Sequence, residues 1–199
     1  MKLRLGGTPV DLPPLSSPGD FIKGPKNFYF QCENEEDSAI TITELEGSWK
    51  TACVSQSDDN ESKIETFTIS GSSLAIKNEK FSGTSCATAY YQEDEAHTSF
   101  SYGDAVTFMS GNTGRYFKLT FGTKKYTPKS AEAVSSFNSS SKCSASDWEL
   151  NTEKDCTSGQ GTIYYGLYQL NGNNWYPAVS VSGYPTSVDT STENTYVKQ

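Results

Sequence analysis

Hydrophobic and polar residues alternate along most of the chain after residue 40, and this period of two predicts β-strands. Between residues 115 and 121, Phe117, Leu119 and Phe121 fall on one face and polar residues on the other. Phe100 and Tyr102 are likewise predicted to share a face with Thr98. Alternation of this kind is typical of sheets with one wet face. The predicted strands are residues 40–43, 49–54, 64–70, 73–76, 86–91, 98–102, 105–109, 116–121, 163–170 and 175–181.

Short turn-forming segments separate these strands and favour antiparallel pairing. They lie at residues 57–60, 70–72, 103–104, 111–114 and 171–173. Asn171-Gly172, between two aromatic-rich runs, is the strongest hairpin signal. Only residues 130–137 carry an apolar stripe that suits a short helix. The pattern therefore predicts an all-β antiparallel sandwich or barrel with at most one short helix.

The first 43 residues differ in composition from the rest and are predicted to form an irregular leader or tether. Five of the eight prolines lie there, which interrupts regular elements. Residues 26–31 are similar to the protease-cleavage tags added to recombinant proteins. A cysteine followed by a polar tether and a β-domain is similar to the start of a mature bacterial lipoprotein, so Cys32 is a candidate lipid anchor. The alternative for the first 43 residues is a natural disordered arm with a free thiol. The predicted domain comprises residues 44–199.

The five cysteines favour an oxidising compartment. No two of them have the CxxC spacing of zinc or redox motifs. We predict the disulfides Cys53–Cys86, between strand-like segments, and Cys143–Cys156, flanking Trp148. Fifteen two-bridge pairings are open to five cysteines, and five reduced thiols in a cytosolic protein are the alternative. The expected location is therefore the outside of the cell or the cell envelope, in the periplasm or on the outer surface.

The segment Leu45-Glu46-Gly47-Ser48-Trp49 favours a barrel over a sandwich as the predicted fold. A Gly-x-Trp at the first strand resembles the opening motif of lipocalins and related calycin barrels. The spacing to Cys53 and Cys86 is similar to that of small lipocalin-like proteins of bacterial envelopes. The resemblance implies an up-and-down barrel of eight antiparallel strands over residues 44–199. It also implies that Gly47 permits a tight turn, that Trp49 closes one end and that Lys198 covers the tryptophan.

Composition excludes several classes of function. A formal charge of −8 and two arginines make nucleic acid an improbable partner. No apolar run is long enough for a transmembrane helix. The single histidine, His97, disfavours histidine-based catalysis and multi-histidine metal sites. We therefore predict no catalytic residue, no metal and no cofactor, although a carboxylate-based hydrolase remains an alternative if Asp or Glu residues pair inside a cavity.

Two acidic clusters have both a functional and a structural interpretation. Glu93, Asp94, Glu95 and His97 could form a metal or acid–base site, but a solvated hairpin tip between strands is favoured. Residues 58–61 supply oxygen ligands without the spacing of a calcium loop, so a plain turn is favoured there as well.

The aromatic residues lead to the functional expectation. A barrel of eight strands either fills its interior or holds one small ligand. We expect a monomeric, secreted or envelope-anchored barrel that binds a small apolar or aromatic ligand. The alternative is a filled barrel that contacts a protein or glycan through exposed loops, as an adhesive or structural module. The residues predicted to line the ligand site are Phe67, Tyr90, Phe100, Tyr102, Phe117, Tyr164 and Tyr168.

Overall fold

The computed structural model describes residues 44–56 and 60–199 and, before them, the backbone of four short strands at residues 2–5, 8–11, 21–23 and 29–31. The chain divides into two compact units, Met1–Thr41 and Ile42–Gln199. In the first unit, β1 (Lys2–Leu5) pairs with β2 (Thr8–Asp11), and β3 (Phe21–Lys23) pairs with β4 (Tyr29–Gln31). The predicted strand at 40–43, Cys32, Asp58 and Asp59 lie outside the described residues.

The second unit is a closed antiparallel barrel of eight strands, as predicted. Each barrel strand pairs with the next barrel strand along the chain, and the last pairs with the first, which gives up-and-down topology. Two short strands outside the barrel, β6 (Val54–Gln56) and β11 (Lys154–Asp155), pair with the ends of β7 and β10, respectively. The barrel strands are β5 (Gly47–Thr51), β7 (Glu61–Ser70), β8 (Ser73–Ser82), β9 (Thr88–Thr107), β10 (Thr113–Pro128), β12 (Ile163–Asn171), β13 (Asn174–Ser180) and β14 (Tyr196–Lys198).

Local sequence explains several of these elements. Phe117, Leu119 and Phe121 are all buried, as the alternation predicts. The hairpin between β12 and β13 forms where predicted, with Gly172 and Asn173 as its two loop residues. The backbone φ of Gly172 is +60°, a conformation that glycine adopts at little cost. Turn chemistry and hydrophobic period therefore agree at this hairpin.

The prediction of a hairpin tip at Glu93, Asp94, Glu95 and His97 is wrong. These residues lie inside β9, a single strand of 20 residues that replaces three predicted strands. Gly103 and Asp104, predicted as a turn, also lie within it. The charges are tolerated in a strand because basic side chains of β10 lie opposite them: Lys124 pairs with Glu95, and Lys125 with Asp94.

The predicted helix is present as α1 (Ala131–Ser139). It begins where the Ser130 side chain accepts a hydrogen bond from the backbone N–H of Ala133 at 3.0 Å, the usual role of serine at a helix start. Its buried Phe137 packs against Trp148 and Tyr126 of β10. Short 3₁₀ turns follow at Lys142–Ser144 and Thr192–Asn194. The helix thus builds a second small aromatic core outside the barrel.

The disulfide Cys53–Cys86 is present, with its Cα atoms 5.9 Å apart. It links the segment after β5 to the segment before β9. Cys143 and Cys156 form the second pair, and their Cα atoms lie 5.1 Å apart beside the helix. Both separations fall in the range that disulfides require.

Candidate functional site

The barrel encloses a cavity of about 300 Å³. Seven of the eight barrel strands, all except β5, contribute residues to its wall, and the 3₁₀ turn Thr192–Asn194 contributes Asn194. Most of the wall is aromatic or aliphatic, and a few polar groups lie on one side. The lining residues are Glu65, Phe67, Leu74, Ile76, Glu95, His97, Phe100, Phe117, Leu119, Tyr164, Trp175, Pro177, Val179, Asn194 and Tyr196.

Four of the seven residues predicted to bind a ligand line this cavity: Phe67, Phe100, Phe117 and Tyr164. Each lies in a short predicted strand segment, and its aromatic side chain was assigned to the core on that basis. Phe117 occupies its position because Gly166 lies across from it. A Cβ built on Gly166 would approach the Phe117 ring to 2.1 Å, so only glycine permits this packing.

The other three predicted residues lie elsewhere. Tyr102 and Tyr168 pack against residues of the cavity wall without lining the cavity. The ring centroid of Tyr102 lies 5.0 Å from that of Phe100, and the ring centroid of Tyr168 lies 6.1 Å from that of Phe117. Tyr90 packs against Tyr91 at 5.3 Å. Tyr168 donates a hydrogen bond to Glu44. Burial, and to a lesser extent this contact, raises the pKa of the Tyr168 hydroxyl.

Trp49 of β5 is buried, with an exposed fraction of 1%. Its indole N–H donates to the carbonyl of Leu45 at 2.8 Å. The Nζ of Lys198 lies 5.3 Å from the ring centroid, within cation–π distance. Gly47 has a φ of +111°, which explains why glycine precedes this tryptophan by two residues.

An aromatic group forms one side of the cavity. Phe67, Trp175 and Tyr196 have ring centroids 4.9 to 5.3 Å apart, and both contacts of Phe67 are edge-to-face. Such pairs stabilise packing beyond the area they bury. Trp175 and Tyr196 were not among the predicted site residues, although Trp175 lies on the predicted strand 175–181.

Two carboxylates, neither of them predicted as a ligand contact, face the cavity beside these rings. Glu65 accepts a hydrogen bond from the Tyr196 hydroxyl at 2.6 Å, and Lys63 Nζ lies 3.2 Å from the same oxygen. Glu95 binds Lys124, with an Nζ–oxygen distance of 2.5 Å, and Lys124 also binds Glu93 at 2.8 Å. The lysines therefore hold both carboxylates in place.

These contacts change the acidity of the cavity wall. Burial by itself would raise the pKa of Glu95, but the contacts with His97 and Lys124 lower it to about 2. Glu93 and Glu95 raise the pKa of Lys124 against the opposing effect of burial. Glu95 is therefore ionised at neutral pH, and an ionised carboxylate cannot serve as a general acid.

His97 is the most unusual polar group of the cavity. Its side chain is 3% exposed, and its Nε2 lies 3.6 Å from a Glu95 oxygen, a distance too long for a hydrogen bond. Among the described residues, no side chain or backbone group lies within hydrogen-bond distance of either ring nitrogen or of the Trp175 indole N–H. Buried polar groups are usually satisfied, so these atoms mark a site where a ligand or water can bind.

Within residues 44–56 and 60–199, no cluster of three or more Cys, His, Asp or Glu side chains has the geometry to hold a metal ion. No helix in that part of the chain is long and apolar enough to cross a membrane. Asn60 lies in a turn and Glu61 begins β7, so the described half of the second acidic cluster is divided between a turn and a strand.

The described part of the second unit is a closed eight-stranded antiparallel barrel with the helix α1 and an internal cavity. This architecture is consistent with a lipocalin-like barrel. No protein-family model matches the sequence, and no curated protein matches it significantly.

Proposed function

We propose that this protein is a lipocalin-like barrel that binds one small apolar or aromatic ligand. The observation that carries the proposal is the cavity of about 300 Å³ inside a closed barrel, with a wall that is mainly aromatic and aliphatic. Ligand sites are typically concave and apolar, with a few placed polar groups. The buried, unpartnered His97 is such a group.

The size of the cavity restricts the ligand. About 300 Å³ lies at the lower end of the range for small-molecule sites, so one or two rings fit and a long acyl chain does not. Val179 lines the cavity and is exposed, so we propose that a ligand enters beside Glu65 and Val179, at the end of the barrel away from the buried Trp49.

The test uses a neutral aromatic probe and a matched pair of variants. We expect wild-type protein to bind 2-naphthol in isothermal titration calorimetry, and Leu119→Trp to abolish binding because the indole fills the cavity. Lys118→Trp, on the exposed outer face of the same strand, is the control and should bind as wild type does. Equal binding by all three proteins would contradict the proposal.

We further propose a secreted or envelope location. The Cys53–Cys86 disulfide supports it, because disulfides persist in oxidising compartments. Lipid attachment at Cys32 stays a prediction, since that residue lies outside the described part of the chain. Intact mass of protein purified from its native membrane fraction tests the attachment.

The proposed function is non-catalytic, despite the two carboxylates in the cavity. A carboxylate-based hydrolase needs one carboxyl group that donates a proton, and Glu95, whose pKa its contacts lower to about 2, does not suit that role. We expect no turnover of ester, glycoside or phosphoester panels by the parent protein. Turnover that disappears in His97→Ala or Glu95→Gln would establish an enzyme instead.

A second candidate function, contact with a protein or glycan, has one supporting observation. Tyr184 is exposed and packs on Tyr116 and Tyr165 at 4.8 and 5.1 Å, outside the barrel. Exposed aromatic groups suit contact surfaces. If Tyr184→Ala abolished binding to a glycan array while 2-naphthol binding persisted, both functions would be present.

A further inference from the structure

The polar part of the cavity wall is acidic. Glu65 and Glu95 line the cavity, and no lysine or arginine is among the lining residues. Lys63 and Lys124 contact these carboxylates from outside the lining. A ligand that enters the cavity therefore meets carboxylate oxygens rather than ammonium groups.

The charges around this wall do not cancel. The register of β7 to β10 places four carboxylates and three lysines on the same inner face. One negative charge is left over when all seven are ionised. A bound cation would neutralise it, whereas a bound anion would double the imbalance. The seven residues are Glu61, Lys63, Glu65, Lys80, Glu93, Glu95 and Lys124.

Aromatic rings and His97 complete the surroundings of a cation. Tyr196 lies directly against Glu65, with Trp175 and Phe67 beside it. Aromatic faces attract ammonium groups, especially where water is excluded. The buried imidazole of His97 has no hydrogen-bond partner, and in its neutral form one nitrogen can accept a hydrogen bond.

We propose that the ligand is a protonated primary amine on a small apolar or aromatic body, bound by the carboxylates of Glu65 and Glu95. A primary ammonium has three N–H donors. The carboxylate oxygens of Glu65 and Glu95, both in the cavity wall, can accept from them, and His97 lies beside Glu95. The apolar body lies against Phe100, Phe117 and Leu119. This inference rests on the proposed ligand-binding function.

The experiment compares three probes that share a phenyl body and differ in charge: 2-phenylethylamine, 2-phenylethanol and 3-phenylpropanoate. Binding is measured by calorimetry on the full chain at neutral pH. We expect the amine to bind at least tenfold more tightly than the alcohol, and the acid to bind most weakly.

Three variants assign the preference to residues. Glu65→Gln and Glu95→Gln should each weaken amine binding about tenfold and leave alcohol binding unchanged, which also shows that the cavity is intact. Glu79→Gln is the matched control, because Glu79 lies on the outer face of β8 and pairs with Lys77. It should not alter either affinity.

The outcomes separate this inference from the proposed function. If 2-naphthol binding is lost in Leu119→Trp but the alcohol binds as tightly as the amine, the cavity binds ligands and the amine proposal is wrong. An amine preference that survives both Glu→Gln substitutions also overturns it. If neither 2-naphthol nor any phenyl probe binds, both proposals fail together.

Discussion

The two ends of the barrel interior are built on opposite principles. Around Trp49 the packing is apolar and includes Leu45, Ile69 and Leu74, each at most 2% exposed. Toward the other end, the inner faces of β7 to β10 carry Glu65, Glu93, Glu95 and Lys124. The same four strands therefore change from hydrophobic to charged along their length.

The difference separates stability from recognition. Burial of apolar area contributes stability directly. The attraction within a buried ion pair is instead largely offset by the free energy needed to desolvate its charges. The end around Trp49 thus stabilises the barrel. The charged end keeps defined acceptors beside the cavity, and Lys63 and Lys124 prevent those carboxylates from being left unpaired.

The largest test of this contrast is to remove the tryptophan. We expect Trp49→Ala to reduce the free energy of unfolding by about 3–5 kcal/mol, because it leaves a cavity in a closely packed region. Trp49→Phe keeps an apolar ring but loses the hydrogen bond from the indole N–H to the Leu45 carbonyl. It should reduce the free energy of unfolding by about 1–2 kcal/mol. Urea unfolding at neutral pH measures both. A loss below 1 kcal/mol for the alanine variant would contradict the role of Trp49.

The second test concerns the disulfide that holds the charged end. Cys86 lies beside this end, since its backbone N–H donates to Ser62 at 2.9 Å. Replacement of Cys53 and Cys86 by serine should reduce the free energy of unfolding by about 4 kcal/mol, from the entropy of the loop it closes. The shorter loop between Cys143 and Cys156 predicts about 3 kcal/mol for the matched double variant. Urea unfolding that gave the reverse order would show that loop entropy does not decide these values.

The smallest test is acid unfolding. The pKa of Glu95 is about 2 in the folded protein against an ordinary value of 4.5. A lowered carboxyl pKa contributes stability that is present above pH 4.5 and lost as the pH falls toward 2. For Glu95, whose side chain is 18% exposed, the contribution is on the order of 3 kcal/mol.

The measurement is urea unfolding of wild type and Glu95→Gln at pH 7, 4.5, 3 and 2.5. The difference between the two should shrink steadily below pH 4.5. Glu79→Gln, which breaks an ion pair on the outer face, should stay within about 0.5 kcal/mol of wild type throughout. A constant difference between wild type and Glu95→Gln across this range would remove Glu95 from the acid response.

Sequence parity located part of the site and failed at a specific place. Phe100 and Phe117 were predicted because hydrophobic and polar residues alternate within the short segments 98–102 and 116–121. The register then skips Thr98 in β9 and Gly122 in β10. The skip at Thr98 leaves that residue exposed and reverses the parity before it, so His97, Glu95 and Glu93 face inward. Extrapolation from Phe100 would have placed these three residues outside.

Gly122 carries the only local trace of this irregularity. A Cβ on that residue would approach the Ala96 carbonyl oxygen to 2.6 Å, so the close approach of β9 and β10 requires glycine. A glycine inside a strand pattern is a recognised sign of a bulge. This glycine does not show which residue of the neighbouring strand is skipped. The skip at Thr98 in β9 is what turns the charged side chains toward the barrel interior.

The sequence by itself determined the strand content, the short helix, the antiparallel hairpins and the class of barrel. These depend on local alternation, turn residues and the Gly-x-Trp motif, each contained in a few neighbouring positions. Only the tertiary structure decided that β9 continues through four titratable residues and that Glu65, Glu95 and His97 meet at one cavity. Those features depend on register between strands, where cross-strand ion pairs and two bulges outweigh the local preference of an acidic run for a solvated turn.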